Sequence, residues 1–458
     1  MIILRYMHIV CNPKLCKAVE KDFTMCYTDI EQRHHVQEVL DMADFLLDTL
    51  PVVDYHDDYL IYTYYHGSVV RVPKAGFDPQ QVIAELGQHG LLVQPKNCPG
   101  DYSDCVELVI SLTNACNLRC KYCFIGEEGC TIKAISTESI DKALLSVAQV
   151  AQRKNRKRVY IQFFGGEPTL RPDLIRYTME RAKTLLKDFT TEYGITTNGV
   201  FGSDIVDLLV DHNFVTTISM DGLPEFQDSQ RIFANGAGSC AAVETSIRSL
   251  VERGIKVIIR ITVTDCMIDR FCEIVDYLHS LGVQFIHFEP VTKGGRANSD
   301  ESAILRPDPE KYSEKLIDVI QYAKKRNVFI LTSTLMNAAS PSLTFCDAVG
   351  KNKLAVTYEG LLTSCLGIQS QEHPLAEQFV MKDDDPEKWL AAQFPSYVAS
   401  TSCVEKCRNC FARYICSGGC PSRNFYATKS VGQIDPMQCI TTQMLLRYYI
   451  VSIYEKSR

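Results

Sequence analysis

Between residues 107 and 290 the chain repeats one pattern six times: a strand-length run of apolar and β-branched residues, then a stretch with helical amphipathic spacing. The runs are VELVISL, RVYIQFF, EYGITT, FVTTISM, KVIIRITV and QFIHFEP, and the amphipathic stretches between them cover 137–153, 172–188, 202–212, 241–253 and 268–281. Six such units imply a parallel sheet with helices outside it, either an open α/β sheet or a partial barrel. In either arrangement ligands collect beyond the C-terminal ends of the strands. The polar motifs fall there: CNLRCKYC after the first strand, GGEP after the second, TNG after the third, SMDG at the end of the fourth.

The first motif carries the chemistry. Cys116, Cys120 and Cys123 form a C-x₃-C-x₂-C array, which can ligate three irons of a [4Fe–4S] cube and leave the fourth without a protein ligand. Cubes with four cysteine ligands transfer electrons; an iron with an open position can also bind a small molecule. Structural zinc sites close four ligands and usually come as paired C-x₂-C units, which this array is not.

At 458 residues the chain needs two or three domains. A net charge of −7 argues against a nucleic-acid backbone as partner, and no apolar stretch reaches the length of a bilayer span. The first ten residues, MIILRYMHIV, read as a starting strand and not as a signal peptide. Twenty cysteines without a secretion signal fit metal ligation in a reducing cytoplasm.

Residues 1–95 read as an N-terminal module. A helical pattern covers 29–50, a two-stranded unit (LIYTYYH and SVVRV) covers 59–72, a helix runs over 78–88, and LLV follows as a short strand, together winged-helix-like. A Pro/Gly/Asp-rich linker occupies 96–106 and the alternating region 107–335. In 336–458 the alternation stops and a second array begins: Cys346, Gly360-x₄-Cys365, Cys407-x₂-Cys410-x₅-Cys416-x₃-Cys420, then Cys439.

The cysteine array with Gly165-Gly166-Glu167-Pro168, Thr197-Asn198-Gly199 and Ser219-Met220-Asp221-Gly222 resembles the radical S-adenosylmethionine superfamily over roughly residues 105–300. The resemblance implies a partial (β/α)₆ TIM-like barrel and cleavage of S-adenosylmethionine at the cluster held by Cys116, Cys120 and Cys123. It further implies that Gly165 and Gly166 let backbone approach the ligand, and that Glu167 or a carbonyl beside it meets the methionine ammonium. Tyr122 would lie near the adenine, Asn198 and Ser219 would meet ribose or carboxylate, and Arg231 would pair with the carboxylate. From the residues alone, a turn at the glycines, capping by Asn198 and Ser219, and a helix-start role for Glu167 stay open.

The C-terminal array resembles the seven-cysteine SPASM domain. That likeness implies two auxiliary [4Fe–4S] clusters, three clusters in all: Cys407, Cys410, Cys416 and Cys439 on one, and Cys346, Cys365 and Cys420 on the other. The latter lacks a clear fourth ligand, with Cys403 the local rival for an open iron that could take a substrate thiolate. The remaining cysteines lack ligand spacing; Cys266 and Cys272 read as buried apolar residues, and His287 as a satisfied core histidine.

Proteins of this kind mostly modify peptides. The resemblance therefore implies a precursor peptide with a leader and a cysteine-bearing core, an electron donor such as flavodoxin or ferredoxin, and thioether formation of the sactipeptide or ranthipeptide type. Carbon–carbon crosslinking and formylglycine formation in sulfatases are the alternatives. Sulfatase-maturing relatives carry an aspartate directly after the Gly-x₄-Cys cysteine, where this chain has Leu366 and Gly367. A pure electron carrier would have no use for the GGEP-type motifs. No general base is legible.

Overall fold

The computed structural model describes residues 51–63, 68–75, 77–88, 105–125, 131–298, 304–339, 345–346, 348–350, 352–368, 371, 373, 375–381, 386–391, 407, 410–430 and 433–456. The helical pattern expected at 29–50, the LLV strand and nearly all of the linker lie outside them.

The N-terminal part is a three-stranded antiparallel sheet, β1 (Val52–Tyr55), β2 (Asp58–Thr63) and β3 (Ser68–Pro73), followed by α1 (Pro79–Gln88). The sequence reading found the β2–β3 pair; β1 is only four residues long and shows no periodicity.

All six expected strands form, as β4 (Cys105–Ser111), β5 (Arg158–Phe164), β6 (Thr190–Thr197), β7 (Val215–Ser219), β8 (Val257–Val263) and β9 (Phe285–Pro290). They pair in sequence order, each parallel to the next. The intervening helices are α2 (Thr137–Arg153), α3 (Pro172–Leu185), α4 (Ser203–Asp211), α5 (Pro224–Gln230), α6 (Cys240–Glu252) and α7 (Phe271–Ser280). Their starts follow local chemistry. Ser136 accepts the Ser139 backbone N–H at 3.1 Å and caps α2. Asp308 accepts from Lys311 N at 2.9 Å and caps α8 (Pro309–Lys324), with Pro309 in the first turn.

Two features extend the sheet beyond the six units. Strand β10 (Phe329–Leu331) adds in parallel to β9. After α9 (Ser333–Ala339), β11 (Lys353–Val356) returns to the opposite edge, parallel to β4, and β12 (Leu362–Thr363) closes it antiparallel. Among the described residues the sheet thus has nine strands in the order β10-β9-β8-β7-β6-β5-β4-β11-β12, and its two end strands do not pair with each other. It is a partial barrel, and the C-terminal segment supplies one flank of it.

The helices share one face. Ile161, Phe163, Ile195, Ile259, Ile261, Ile286 and Phe288 join Leu144, Val147, Ile175, Leu209, Ile247, Ile274 and Leu316 in one core. Side chains alternate along a strand, so Gln162, Thr196, Ser219, Arg260, His287 and Glu289 lie on the other, inner face.

The C-terminal part continues with α10 (Ala376–Phe379), α11 (Pro386–Ala391), α12 (Arg413–Cys416), α13 (Pro421–Thr428) and the long α14 (Pro436–Lys456). The N-terminal sheet packs on this part: Val53, Leu60, Ile61, Tyr62, Ile83 and Leu86 share a core with Ala412, Ile415, Leu446 and Ile450. No helix among the described residues is long and apolar enough to cross a membrane.

Candidate active site

The loop after β4 presents its cysteines through a local alternation. Leu118, Cys120 and Tyr122 are buried while Arg119 and Lys121 face out. Its backbone is tied on two sides, by Arg119 N to Ile232 O (2.7 Å) and Lys121 N to Gln230 O (2.9 Å), and by Arg296 N to Cys123 O (3.0 Å) and Arg296 Nε to Cys120 O (2.9 Å). A Cβ at Gly295, whose φ is +54°, would strike the Cys123 carbonyl.

All three thiols are free. Cys116 Sγ lies 3.4 Å from Leu118 N and 3.6 Å from Asn198 Nδ2, and Cys120 Sγ lies 3.7 Å from an Arg231 guanidinium nitrogen. Burial pushes the Cys116 thiol up to about 11, with Glu167, Cys120 and Cys123 adding to it. Cys120 is raised mainly by burial too, against the pull of Arg231. Thiols that oppose one another's ionisation hold charge best against a bound cation, with N–H donors around the sulfurs. That environment fits a cluster. Among the described residues no three His, Cys, Asp or Glu side chains converge on a single metal position, and a cube, which takes one thiolate per iron, does not require them to.

The GGEP segment works through backbone approach. Gly165, at φ +143°, would place a Cβ 2.5 Å from Thr113 O, and a Cβ on Gly166 would land on Ala115 O. Gly166 N donates to Thr113 O (2.6 Å) and Glu167 N to Ala115 O (2.8 Å). The glycines therefore bring β5's extension against the segment that launches the cysteine loop.

Glu167 is buried. Its Oε1 accepts from Thr169 N (3.1 Å), Thr169 Oγ1 (2.7 Å) and Thr197 Oγ1 (2.7 Å), and Oε2 accepts from Asn198 N (2.7 Å). Burial raises its pKa although these four donors oppose the shift. Only Oε2 keeps acceptor capacity for a further donor. Asn198 is a turn residue, its Oδ1 accepting from Val200 N (2.9 Å) and its Nδ2 donating to Asn117 Oδ1 (2.6 Å).

Tyr122 is buried with its hydroxyl donating to Asp221, and the Arg231 guanidinium stands 5.2 Å from its ring centre. Arg231 Nε is 3.3 Å from Asp221 Oδ1. So Asp221, which the sequence reading did not single out, already compensates the arginine expected to take a carboxylate. A further chain fixes that loop, with Asp221 N donating to Gln227 Oε1 (2.8 Å) and Gln227 Nε2 to Ser239 Oγ (2.8 Å).

Ser219 lies on the inner face, level with Arg260 on β8, which is level with His287 on β9. His287 Nε2 is 3.1 Å from Glu289 Oε1, and Glu289 Oε2 pairs with Arg423 at 2.6 Å. Arg260 is not among the expected site residues, although a lone charge inside VIIRITV is a visible signal. Arg423 has none, because it reaches the barrel from α13.

In the C-terminal part, the Cys416 thiol is pushed up to about 12 by burial and by the neighbouring Cys439, Cys407 and Cys410. Cys365 is raised to about 11 by burial and by Cys420, and Cys346 packs with Cys365 beside Ala348, Ile368 and Phe379. Ser417, Gly418 and Gly419 take successive positive φ values of 44°, 82° and 75°, turning the chain sharply between Cys416 and Cys420. Cys403 lies outside the described residues. Cys240 is buried and Cys272 half-buried, but Cys266 is exposed, contrary to expectation. It sits on a 3₁₀ turn that buries Met267 and Ile268 instead.

Residues 110–278 match the family model of the radical SAM superfamily, so this segment is a radical SAM domain. The chain is 23% identical over 326 residues to the serine-type anaerobic sulfatase-maturating enzyme of Klebsiella aerogenes, covering 67% of this chain and 77% of that enzyme. Its fold is similar to native anSMEcpe with bound AdoMet (TM-score 0.62, 17% identity, 77% of this chain and 100% of that one). It is also similar to Streptococcus suis SuiB bound to precursor peptide SuiA (TM-score 0.52, 16% identity, 95% and 88%).

Proposed function

We propose that this radical SAM protein modifies a ribosomally made peptide, forming thioether crosslinks from cysteine sulfur to carbon with loss of two hydrogens per link. The observation that carries the reading is the presence of two cysteine systems, the second in a C-terminal part tied to the inner face through Arg423 and Glu289. The loop of Cys116, Cys120 and Cys123 stands at the C-terminal ends of the strands. Further along the chain, Cys407, Cys410 and Cys439 lie near enough to Cys416 to oppose its ionisation, as Cys420 does for Cys365.

Cys116, Cys120 and Cys123 would hold the cluster that engages S-adenosylmethionine. Cys407, Cys410, Cys416 and Cys439 would hold a first auxiliary cluster, and Cys346, Cys365 and Cys420 a second. When bound, the first cluster and S-adenosylmethionine supply one-electron cleavage and a hydrogen-abstracting 5′-deoxyadenosyl radical. The chain's own residues set the geometry. Gly165 and Gly166 seat the cysteine loop, Glu167 fixes the β5 and β6 ends with one Oε2 position left for an ammonium, and Ser219 offers a hydroxyl. Asn198 and Arg231 donate toward the Cys116 and Cys120 sulfurs, and Tyr122 holds Asp221 in place. The N-terminal sheet, with an edge strand at each side among the described residues, suits addition of a leader-peptide strand. The reductant would be a small carrier such as flavodoxin or ferredoxin, in the cytoplasm.

Similarity to a sulfatase-maturating enzyme favours a second reading, oxidation of a sulfatase cysteine or serine to formylglycine. Leu366 and Gly367 after Cys365 weigh against it, since neither side chain can act as a base.

The test is anaerobic co-expression with cysteine-bearing peptides encoded beside the gene, followed by mass spectrometry with and without thiol alkylation. Loss of two hydrogens per site with matching loss of alkylatable thiols is the expected result. The same mass loss with all thiols free identifies carbon–carbon chemistry. Conversion of a sulfatase peptide, with the neighbouring peptides untouched, replaces the proposal by the second reading.

A further inference from the structure

Of three arginines gathered at the inner face, Arg231, Arg260 and Arg423, two stand in ion pairs. Arg231 is compensated by Asp221 and Arg423 by Glu289. Arg260 has neither a hydrogen bond nor an ion pair from its guanidinium among the described residues. Its direction is set by its strand: Ile259 and Ile261 belong to the core beneath the helices, so Arg260 points the opposite way, into the inner face. There it stands between Ser219 on β7 and His287 on β9, at the same level of the sheet.

Neither nearby carboxylate is free to turn to it. Glu289 Oε1 takes His287 and both the backbone N–H and hydroxyl of Ser333, while Oε2 takes Arg423. Asp221 Oδ2 takes the Tyr122 hydroxyl, and Oδ1 takes Thr262 N and Arg231. His287 offers no negative charge, and burial, with Arg260 adding to it, lowers its pKa and keeps the ring neutral. Burial, with Arg423 and Arg231 adding to it, draws the guanidinium below its usual range although Glu289, already paired with Arg423, pulls the other way. A partly buried cation flanked by two satisfied pairs is costly to the empty protein, and a planar guanidinium is the side chain best shaped to grip a carboxylate through two parallel hydrogen bonds.

We propose that Arg260 is a ligand-binding residue of the reaction chamber that grips a carboxylate, with the Ser219 hydroxyl beside it. The carboxylate comes either from an acidic side chain of the peptide or from the methionine half of S-adenosylmethionine. The inference rests on the peptide-modifying radical SAM reading and adds to it a required charge on one of the two ligands.

Two matched probe pairs separate the sources on anaerobically reconstituted holoenzyme, read by calorimetry. The first pair is S-adenosylmethionine and its decarboxylated analogue. The second, added to the cofactor-loaded enzyme at millimolar concentration, is N-acetylglutamate amide and N-acetylglutamine amide. If the cofactor supplies the carboxylate, Arg260→Gln weakens S-adenosylmethionine at least about tenfold and leaves the decarboxylated analogue unchanged. If the peptide supplies it, cofactor affinity is unchanged, and the preference of the wild-type enzyme for the glutamate probe disappears in Arg260→Gln. Arg260→Lys, which keeps the charge without the fork, retains part of either preference and guards against a folding artefact. The proposal is overturned if the wild-type enzyme binds the charged and neutral members of both pairs alike, or if Arg260→Gln weakens both members equally. Formation of 5′-deoxyadenosine by the reduced wild-type enzyme reports separately on the radical SAM reading, so either failure is recognisable.

Discussion

At the scale of single residues, the spacing of the cysteines already suggests which of them group, and in the structure Cys407, Cys410 and Cys439 act on the Cys416 thiol and Cys420 on that of Cys365. The surroundings of the polar residues expected to face the cofactor are not legible in this way. Asn198, Tyr122 and Arg231 carry the residue types a cofactor pocket wants, yet each is spent largely on the protein, on Asn117 and Val200, on Asp221, and on Asp221 again. Sequence records which donors exist and not which are already taken. Asp221 is therefore the residue whose loss should be felt most: it is fully buried and compensates Arg231 beside the Cys120 sulfur. Asp221→Ala should destabilise the protein by about 3–5 kcal/mol, because a buried guanidinium is left without its counter-ion. Anaerobic denaturant unfolding of the holoprotein measures it. A loss below about 1 kcal/mol would mean that solvent reaches Arg231. Gly166→Ala tests the backbone approach. Its new Cβ meets the Ala115 carbonyl, so the cysteine loop must shift, and iron bound at the proposed first cluster site should fall. Mössbauer quantification in a variant lacking the auxiliary cysteines gives the answer.

At the scale of elements, the six strands and five of the six helices between them were readable to within a few residues, as at 137–153, because long periodic runs carry the signal twice, in hydrophobicity and in end chemistry, whereas the seven-residue α5 was not. What escaped was short or borrowed. Strands β10 and β12 have three and two residues, too few for a period, and β11 joins β4 from far along the chain. The turn at Ser417, Gly418 and Gly419 belongs to the same class: two glycines announce a turn, but not three successive left-handed residues that bring Cys416 and Cys420 to separate thiol groups. Gly419→Ala should cost about 1–2 kcal/mol from its φ of +75°. The new Cβ also comes within 3.1 Å of Gln438 Cγ, next to Cys439. Auxiliary iron content should fall in parallel with thermal stability. A stable variant with full iron would show that the turn can be rebuilt around a side chain.

At the scale of the whole molecule, two buried ion pairs fasten the barrel to the C-terminal part, each close to a cysteine set. Arg423, three positions after Cys420, holds Glu289 of β9. Asp435, four before Cys439, receives Arg306 in a two-pronged pair and accepts from Cys439 N through its carbonyl at 3.0 Å. No sequence pattern links residues 129 positions apart, which is why this coupling was invisible before the fold. Its protonation behaviour gives a signed prediction. Burial alone would raise the Glu289 pKa, but Arg423, His287 and Arg260 together hold it well below the usual carboxylate range. A depressed carboxylate contributes stability above its unfolded pKa of about 4.3 and loses it as pH falls through the folded value. Glu289→Gln should therefore be markedly less stable than the wild-type protein at neutral pH, by about 3 kcal/mol for a broken buried pair. The gap should narrow steadily as the pH drops below about 4.3. Paired denaturant titrations of the two proteins measure it, since the acid sensitivity of the clusters enters both curves alike. A gap independent of pH would mean that the loss comes from shape and hydrogen-bond geometry and not from the Glu289 charge. A narrowing gap identifies the ionised Glu289 as the charge that fastens β9 to Arg423 of α13, and with it to the segment that carries Cys420.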